Sequence, residues 1–496
     1  MGLLDKRASG VLMHVSSLPG DFGIGTMGKE AYKFIDKLKK AGQTYWQILP
    51  VCPTGFGDSP YQSFSTFAGN PYFIDPQLLC KEGYLKKEDY EDISWGERED
   101  TVDFGALYVK RNELFNKLFK NFGEKIPSDF VSFCRKNAHW LDDFALFMAV
   151  KDAHGGAAFY EWEEAISRRK PEAVVSWSAK CRDRIEYYKM LQYFFFKQWN
   201  ALKNYANQNG IYIIGDVPIY VARDGADVWS NPLQFKLDEN FSPIEVAGCP
   251  PDAFSEDGQL WGNPIYDWDY MKEDGYKWWT ARLKAAFSIY DVVRIDHFRG
   301  FAGYYCIPFG SQTAKEGVWR EGPRMQLFDA VKKELGDVPI IAEDLGFLTE
   351  DVYKLLSDSG FPGMKVLQFA FSPDCESAYL PKNHIPNSIV YTGTHDNDTL
   401  LGYLETTSER ELNNAMQVMG IKRKKQIPKA MMKTAMQSVS NTAIITMQDL
   451  IGLGSDARMN TPAKNSGNWQ WRATQKELST KNFRLLKKYT KKFKRI

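Results

Sequence analysis

Acids gather where short apolar runs end. The segment VVRIDHFRG, Val292 to Gly300, passes from apolar residues to Arg294, Asp296 and His297. Other runs end in the same way: IYIIGD at Asp216, VPIIAED at Glu343 and Asp344, SIVYTGTHD at Asp396, and TAIITMQD at Asp449. Two carboxyl groups of unlike environment, one ionised and one kept protonated, are what acid-assisted cleavage of a glycosidic bond requires. The acid partner needs its pKa raised from about 4.3 to about 6 or 7, a bias of roughly 2 to 4 kcal/mol from burial and nearby negative charge. Residue type alone leaves open which acids form that pair.

Taken singly, an Asp after a strand often caps the next helix. A shared position at five strand ends points instead to one rim. Side chains alternate along a strand, so Val292, Arg294 and Asp296 share one face while Val293 and Ile295 share the other. By the same rule Tyr212, Ile214 and Asp216 share a face, as do Ile341 and Glu343, whereas Asp344 turns away and suits a helix cap. Arg294 then lies below Asp296, where a cation lowers a carboxyl pKa and keeps the group ionised, as a nucleophile must be; a plain structural salt bridge would use the same residues.

The elements that position these acids follow from short β-branched runs bounded by turn residues, at 10–16, 44–51, 211–216, 290–296, 338–344, 364–371, 388–396 and 442–449. Amphipathic helices lie between several of them. Ala31, Ile35 and Leu38 form one such face before Gly42, Phe328, Val331 and Leu335 another before Gly336, and Val352, Leu355 and Leu356 a third before Gly360. Strands apolar on both faces and alternating with helices predict an α/β protein, a (β/α)8 or TIM barrel whose strand ends converge on one rim. The uneven spacing predicts one catalytic barrel over 1–496 with large, mainly helical inserted subdomains in its βα loops. The first insertion is 52–210, between strands two and three. The second is 222–289, between strands three and four, and holds a covering loop, 248–268, with neither helix nor strand period. From Lys476 onward, nine Lys and Arg read as a solvated helix face.

Composition excludes several functions. The chain of 496 residues carries 63 Lys plus Arg against 62 Asp plus Glu, so it has no global field to hold nucleic acid or an acidic membrane. Its seven cysteines are scattered and form no C-x-x-C pair, which argues against a disulfide framework or a zinc ribbon and fits a reducing cytoplasm. The start, MGLLDKRASG, has no signal-peptide core, and no run approaches the ~18 apolar residues of a membrane span. GIGTMG, Gly23 to Gly28, is a literal G-x-G-x-x-G that would suggest a nicotinamide or flavin oxidoreductase. It begins well beyond its strand, however, and the second strand ends LPVCP with no acid to hold a ribose. The six histidines form no H-x-x-x-H or H-E-x-x-H pattern, so no metal is expected. His297 and His395 suit hydrogen bonding to a sugar hydroxyl or a neighbouring carboxylate.

Aromatic residues make up 14% of the chain, and some fall in Gly- and Pro-rich loops. The covering loop GCPPDAFSEDGQLWGNPIYDW offers Phe254, Trp261, Tyr266 and Trp268 as flat faces for pyranose rings, with Gln259 and Asn263 as amides for hydroxyls. GDSPYQSFSTFAGNPYFID (57–75) and RMNTPAKNSGNWQWR (458–472) have the same character. With SGVLMHVSSLPG, GDVPIYVA, PPDAFSEDGQLWGNP, VRIDHFRG, AEDLG, THDN and RMNTP in this order, the chain resembles the amylomaltases, or disproportionating enzymes, 4-α-glucanotransferases of the α-amylase clan. The resemblance implies Asp296 as nucleophile, Glu343 as general acid/base and Asp396 as the third carboxylate, with Arg294 and His395 beside it. It also implies substrate contacts at Tyr61, Asp216, Asp252, Phe254, Gln259, Trp261, Asn263 and Asn460. The chain departs from the family at Ala463, where glycine is frequent, and in GIGTMG, where an acid often follows the second glycine. The implied reaction is transfer of α-1,4-glucan segments between malto-oligosaccharides by retaining double displacement, without a cofactor, the two carboxyl groups standing about 5 to 5.5 Å apart. A retaining hydrolase of the same clan is the nearest alternative, and a non-enzymatic glucan-binding protein a remote one.

Overall fold

Eight parallel strands form one sheet in the computed structural model, which describes residues 2–251, 256–346, 348–373, 377–462, 464 and 466–495. In chain order the strands are β1 (Ala8–Leu12), β2 (Tyr45–Gln47), β3 (Tyr212–Pro218), β4 (Glu245–Cys249), β5 (Gln259–Pro264), β6 (Val292–Asp296), β7 (Gly303–Pro308), β8 (Val318–Glu321), β9 (Ile340–Ala342), β10 (Gly363–Val366), β11 (Ser388–Tyr391) and β12 (Thr442–Thr446). The parallel sheet runs β10-β11-β12-β1-β2-β3-β6-β9. Its two ends meet: Ala342 N donates to Pro362 O at 3.0 Å, and Met364 N to Asp344 Oδ1 at 2.6 Å. The result is the expected (β/α)8 barrel.

Alternation along the strands sorts two cores. Leu12, Tyr45, Ile214, Val292, Ile341, Met364, Ile389 and Ile444 fill the barrel interior. Trp46, Ile213, Val293, Ile295 and Val390 face the helices, where Ala31, Ile35, Leu38, Phe328, Val331, Val352 and Leu355 meet them. The helices at Lys29–Lys40, Met325–Leu335 and Glu350–Ser359 thus bury the predicted faces, and Gly336 and Gly360 end the latter two at φ 76° and 69°.

The structure departs from the sequence expectations in five places. The covering loop has a strand after all: β5 pairs antiparallel with β4, and β4, β7 and β8 extend it into a second sheet ordered β5-β4-β7-β8. The central pairing, β4 with β7, joins Glu245 to Pro308 and Ala247 to Cys306, far apart in sequence, so no local period announces the sheet. The run 442–449 is strand only to Thr446; Thr446 Oγ1 accepts from Asp449 N and opens the helix Met447–Ile451, which carries Asp449. The run 388–396 stops at Tyr391, leaving Asp396 in a loop. Asp344 caps no helix but joins β9 to β10. Arg495, expected among solvated charges, is buried and donates to the carbonyls of Ala8, Ala435, Met436, Ser438 and Asn441. In GIGTMG, close packing accounts for two glycines: a Cβ on Gly25 would lie 1.8 Å from Val15 O, and one on Gly28 1.8 Å from Asp75 Oδ2.

Candidate active site

Asp296 is the last residue of β6, and Arg294 stands two residues below it on the inner face. Arg294 Nη1 lies 3.0 Å from Asp296 Oδ1 and 2.6 Å from Asp216 Oδ2, so one buried guanidinium serves two carboxylates on neighbouring strands. Val217 to Ile295 is the paired register that sets β3 beside β6 there.

Glu343 follows β9 directly, its N–H donating to Ile295 O at 3.0 Å. Its carboxyl takes two backbone N–H groups, His297 N on Oε2 at 2.6 Å and Leu345 N on Oε1 at 2.9 Å. His297 directs its N–H there from a left-handed backbone, φ 52°. Because His297 is the neighbour of Asp296, the hydrogen bond sets the two acids side by side.

Their environments differ. Burial pushes the Asp296 carboxyl up to about 6, with Arg294 and His395 opposing and Asp216 and Asp396 adding to the rise. The sequence expectation that Arg294 holds this group low is right in sign, but burial outweighs it. Glu343 rises to about 8, through burial first and the adjoining Asp296 second, against Arg294 and the two N–H groups. The order of the two values, with Glu343 the higher, leaves Asp296 the more readily ionised and Glu343 the more readily protonated.

Asp396 sits opposite on the loop after β11. Asn460 Nδ2 donates to its Oδ1 at 2.6 Å, His395 Nε2 lies 3.3 Å from Oδ2, and Arg458 Nη2 donates to its carbonyl at 2.6 Å. Tyr61 completes the wall: its hydroxyl donates to Asp216 Oδ2 at 2.8 Å, and its ring stacks on His395 with centroids 5.1 Å apart. Trp469 leans against both rings.

On the side of the second sheet, Trp261 meets His297 edge-on at 4.9 Å, and its Nε1 donates to Gln259 Oε1 at 3.0 Å. Gln259 therefore orients the indole. Asn263 is buried, donates to Val221 O at 2.8 Å and faces the Gln62 amide, which ties the covering hairpin to the 57–75 loop. Asp252, Phe254 and Ala463 lie outside the described residues. Asp216, Asp296, Glu343, Asp396, Tyr61, Arg294, His395, Trp261 and Asn460 thus come together around one mouth, while Gln259 and Asn263 support it from behind. Arg458, Gln62 and Trp469 were not singled out from sequence. An aromatic in the Gly- and Asn-rich stretch NSGNWQW was the available signal for Trp469; nothing local marks Arg458 or Gln62.

The arrangement suits acid-assisted displacement at a sugar carbon, with an ionised carboxylate, a protonated one, a third acid and stacked rings for a pyranose. The chain matches the family model described as 4-alpha-glucanotransferase over residues 13–478. It is 50% identical over 479 residues to the 4-alpha-glucanotransferase of Streptococcus pneumoniae, covering 96% of this chain and 95% of that one. To the 4-alpha-glucanotransferase of Thermus thermophilus it is 45% identical over 484 residues, 95% of this chain and 96% of the relative. Among solved structures it is similar to an amylomaltase from Streptococcus agalactiae in complex with acarbose, with 46% identity, a TM-score of 0.96, and coverage of 99% of this chain and 100% of that one.

Proposed function

The chain belongs to the 4-alpha-glucanotransferase family, and from that premise we propose that Asp296, Glu343 and Asp396 perform its transfer reaction by retaining double displacement. It is an enzyme that moves α-1,4-glucan segments, with malto-oligosaccharides as donor and acceptor. In the first half-reaction Glu343 gives its proton to the glycosidic oxygen as the C1–O bond breaks, and Asp296 attacks C1 to form a glycosyl-enzyme. In the second, Glu343 takes the proton of an acceptor 4-hydroxyl, whose oxygen attacks C1 and releases Asp296. Asp396 accepts hydrogen bonds from sugar hydroxyls and favours the oxocarbenium-like transition state. Arg294 favours the ionised form of Asp296 and bridges it to Asp216, and Tyr61, with His395 and Trp469 behind it, offers a flat face to the ring.

The hydrogen bond from His297 to Glu343 carries this reading, because it ties the acid after β9 to the residue next to the nucleophile at the end of β6. Trp261, Asp252, Phe254, Gln259, Asn263 and Asn460 are assigned to acceptor and donor contacts or to their support. The catalytic unit is one barrel, 1–496, with 52–210 and 222–289 inserted to build the walls of the cleft. Among the described residues no helix is long and apolar enough to cross a membrane, and Cys52, Cys80, Cys134, Cys181 and Cys306 are free thiols, which suits a cytoplasmic location.

Incubation with maltotriose tests the reading. Redistribution into glucose and longer oligomers is the expected outcome; shortening alone would indicate hydrolysis, and an unchanged mixture mere binding. Asp296→Asn is expected to abolish redistribution, by 10³-fold or more on the order of magnitude of lost nucleophiles, without unfolding the protein. Retained activity would reject the nucleophile.

A further inference from the structure

Asp449 stands at the end of one of the eight barrel runs but takes no part in the cleft. It lies on the helix Met447–Ile451 behind β12, 4% exposed. Its two oxygens grip the two ends of a single loop: Oδ2 accepts from Thr392 Oγ1 and Oδ1 from Leu400 N, both at 2.7 Å. Thr392 is the first residue after β11, Leu400 the first of the helix Leu400–Thr406, and the residues between them carry His395 and Asp396. The preceding residue, Gln448, donates to Ala457 O at 3.2 Å and so holds the turn Ser455–Ala457, from which Arg458 and Asn460 reach Asp396. Ser455 Oγ ties the two loops together through Asp398 Oδ2 at 2.8 Å.

We propose that Asp449 is a positioning residue for the reaction, closing the 392–400 loop into a ring and thereby setting where the Asp396 carboxylate stands relative to Asp296 and Glu343. The inference rests on the assignment of Asp396 to the transition state. A buried carboxylate is a costly way to hold a loop: burial raises its pKa, and Asp398 nearby adds repulsion. A carboxylate supplies two acceptor oxygens on one rigid plane, one for each end of the loop, where an amide supplies only one. Rigid placement matters here because a shift of about 1 Å in a catalytic group costs about 10²-fold in rate.

Thr392→Val removes one side of the clamp at nearly constant volume, and Asp449→Asn replaces one acceptor oxygen by an NH2, which holds Thr392 only if its hydroxyl reverses from donor to acceptor. With kcat on maltotriose counted per folded molecule by near-ultraviolet circular dichroism, each is expected to lower kcat about 10- to 100-fold with KM within about threefold. Thr392→Ser restores the hydroxyl and is expected to keep kcat within about threefold of the parent. Asp396→Asn distinguishes the two assignments. If it is inactive while Thr392→Val and Asp449→Asn keep full kcat, the positioning role alone is overturned; if it retains activity, the assignment beneath it falls. Loss of activity only in proportion to unfolded protein, or failure of both clamp variants to fold, makes the contacts a requirement of the fold and overturns the proposal.

Discussion

Arg294 illustrates how a single side chain divides its influence. Its guanidinium reaches Asp216 and Asp296 together and favours the ionised form of Asp296, yet the Asp296 carboxyl is still raised because burial is the larger effect. Glu343 is raised further, since Asp296 stands beside it and Arg294 acts on it more weakly. The sign of the pH dependence follows. Asp296 must be ionised, so activity falls as pH drops through about 6; Glu343 must be protonated, so activity falls as pH rises through about 8. A bell-shaped kcat/KM profile on maltotriose is expected, with its maximum at about pH 7 and limbs that belong to the coupled pair. A flat profile from pH 5 to about 9 would contradict the roles given to the two acids. The pairing of inward Arg294 with Asp296 was legible in VVRIDHF because a strand has a period of two residues. The elevation of Asp296 was not, because burial depends on Tyr61, His395 and the covering hairpin, which come from distant parts of the chain.

The strand ends decide where the acids stand. Between β9 and β10, Asp344 accepts the N–H of Met364, and a Cβ at Gly363 would lie 2.4 Å from Asp344 Oδ2. Gly363 leaves the room in which this seam closes. Gly363→Ala is expected to destabilise the protein by about 1 to 3 kcal/mol, read as a lower urea midpoint, through the forced displacement of Asp344 or of the strand. An unchanged midpoint would mean that the seam has slack. At this scale the eight barrel strands were legible as apolar runs, because parallel strands buried on both faces leave continuous hydrophobic stretches. The second sheet was not: β8 is exposed along its length and β5 alternates half-buried with exposed residues before its buried end, so neither shows the apolar signature of a buried strand.

Across the whole molecule, the chain ends are clasped together at the barrel. Arg495 binds carbonyls at the end of the helix Ile427–Gln437, at Asn441 before β12 and at Ala8 in β1, and Arg7 donates to Met436, Gln437, Ser438 and Phe493 from the other side. The two cations meet carbonyls left free at a helix C-terminus, where positive charge is favoured. Arg495→Met fills similar space but leaves those acceptors buried and unpaired, so a loss of about 3 kcal/mol is expected, measured as a fall in the urea midpoint with little change in kcat at 25 °C. Unaltered stability would show that water replaces the guanidinium. The sequence by itself determined the barrel and the shared inner face of Arg294 and Asp296, because burial on a repeating element leaves a local period and a strand alternates its side chains. Only the tertiary structure decided that Asp449 grips a loop while Asp396 faces the cleft, that Gln259 and Asn263 hold neighbours in place, and that Arg495 is buried. These outcomes depend on which distant polar group happens to lie within hydrogen-bonding reach, and local sequence carries no record of that distance.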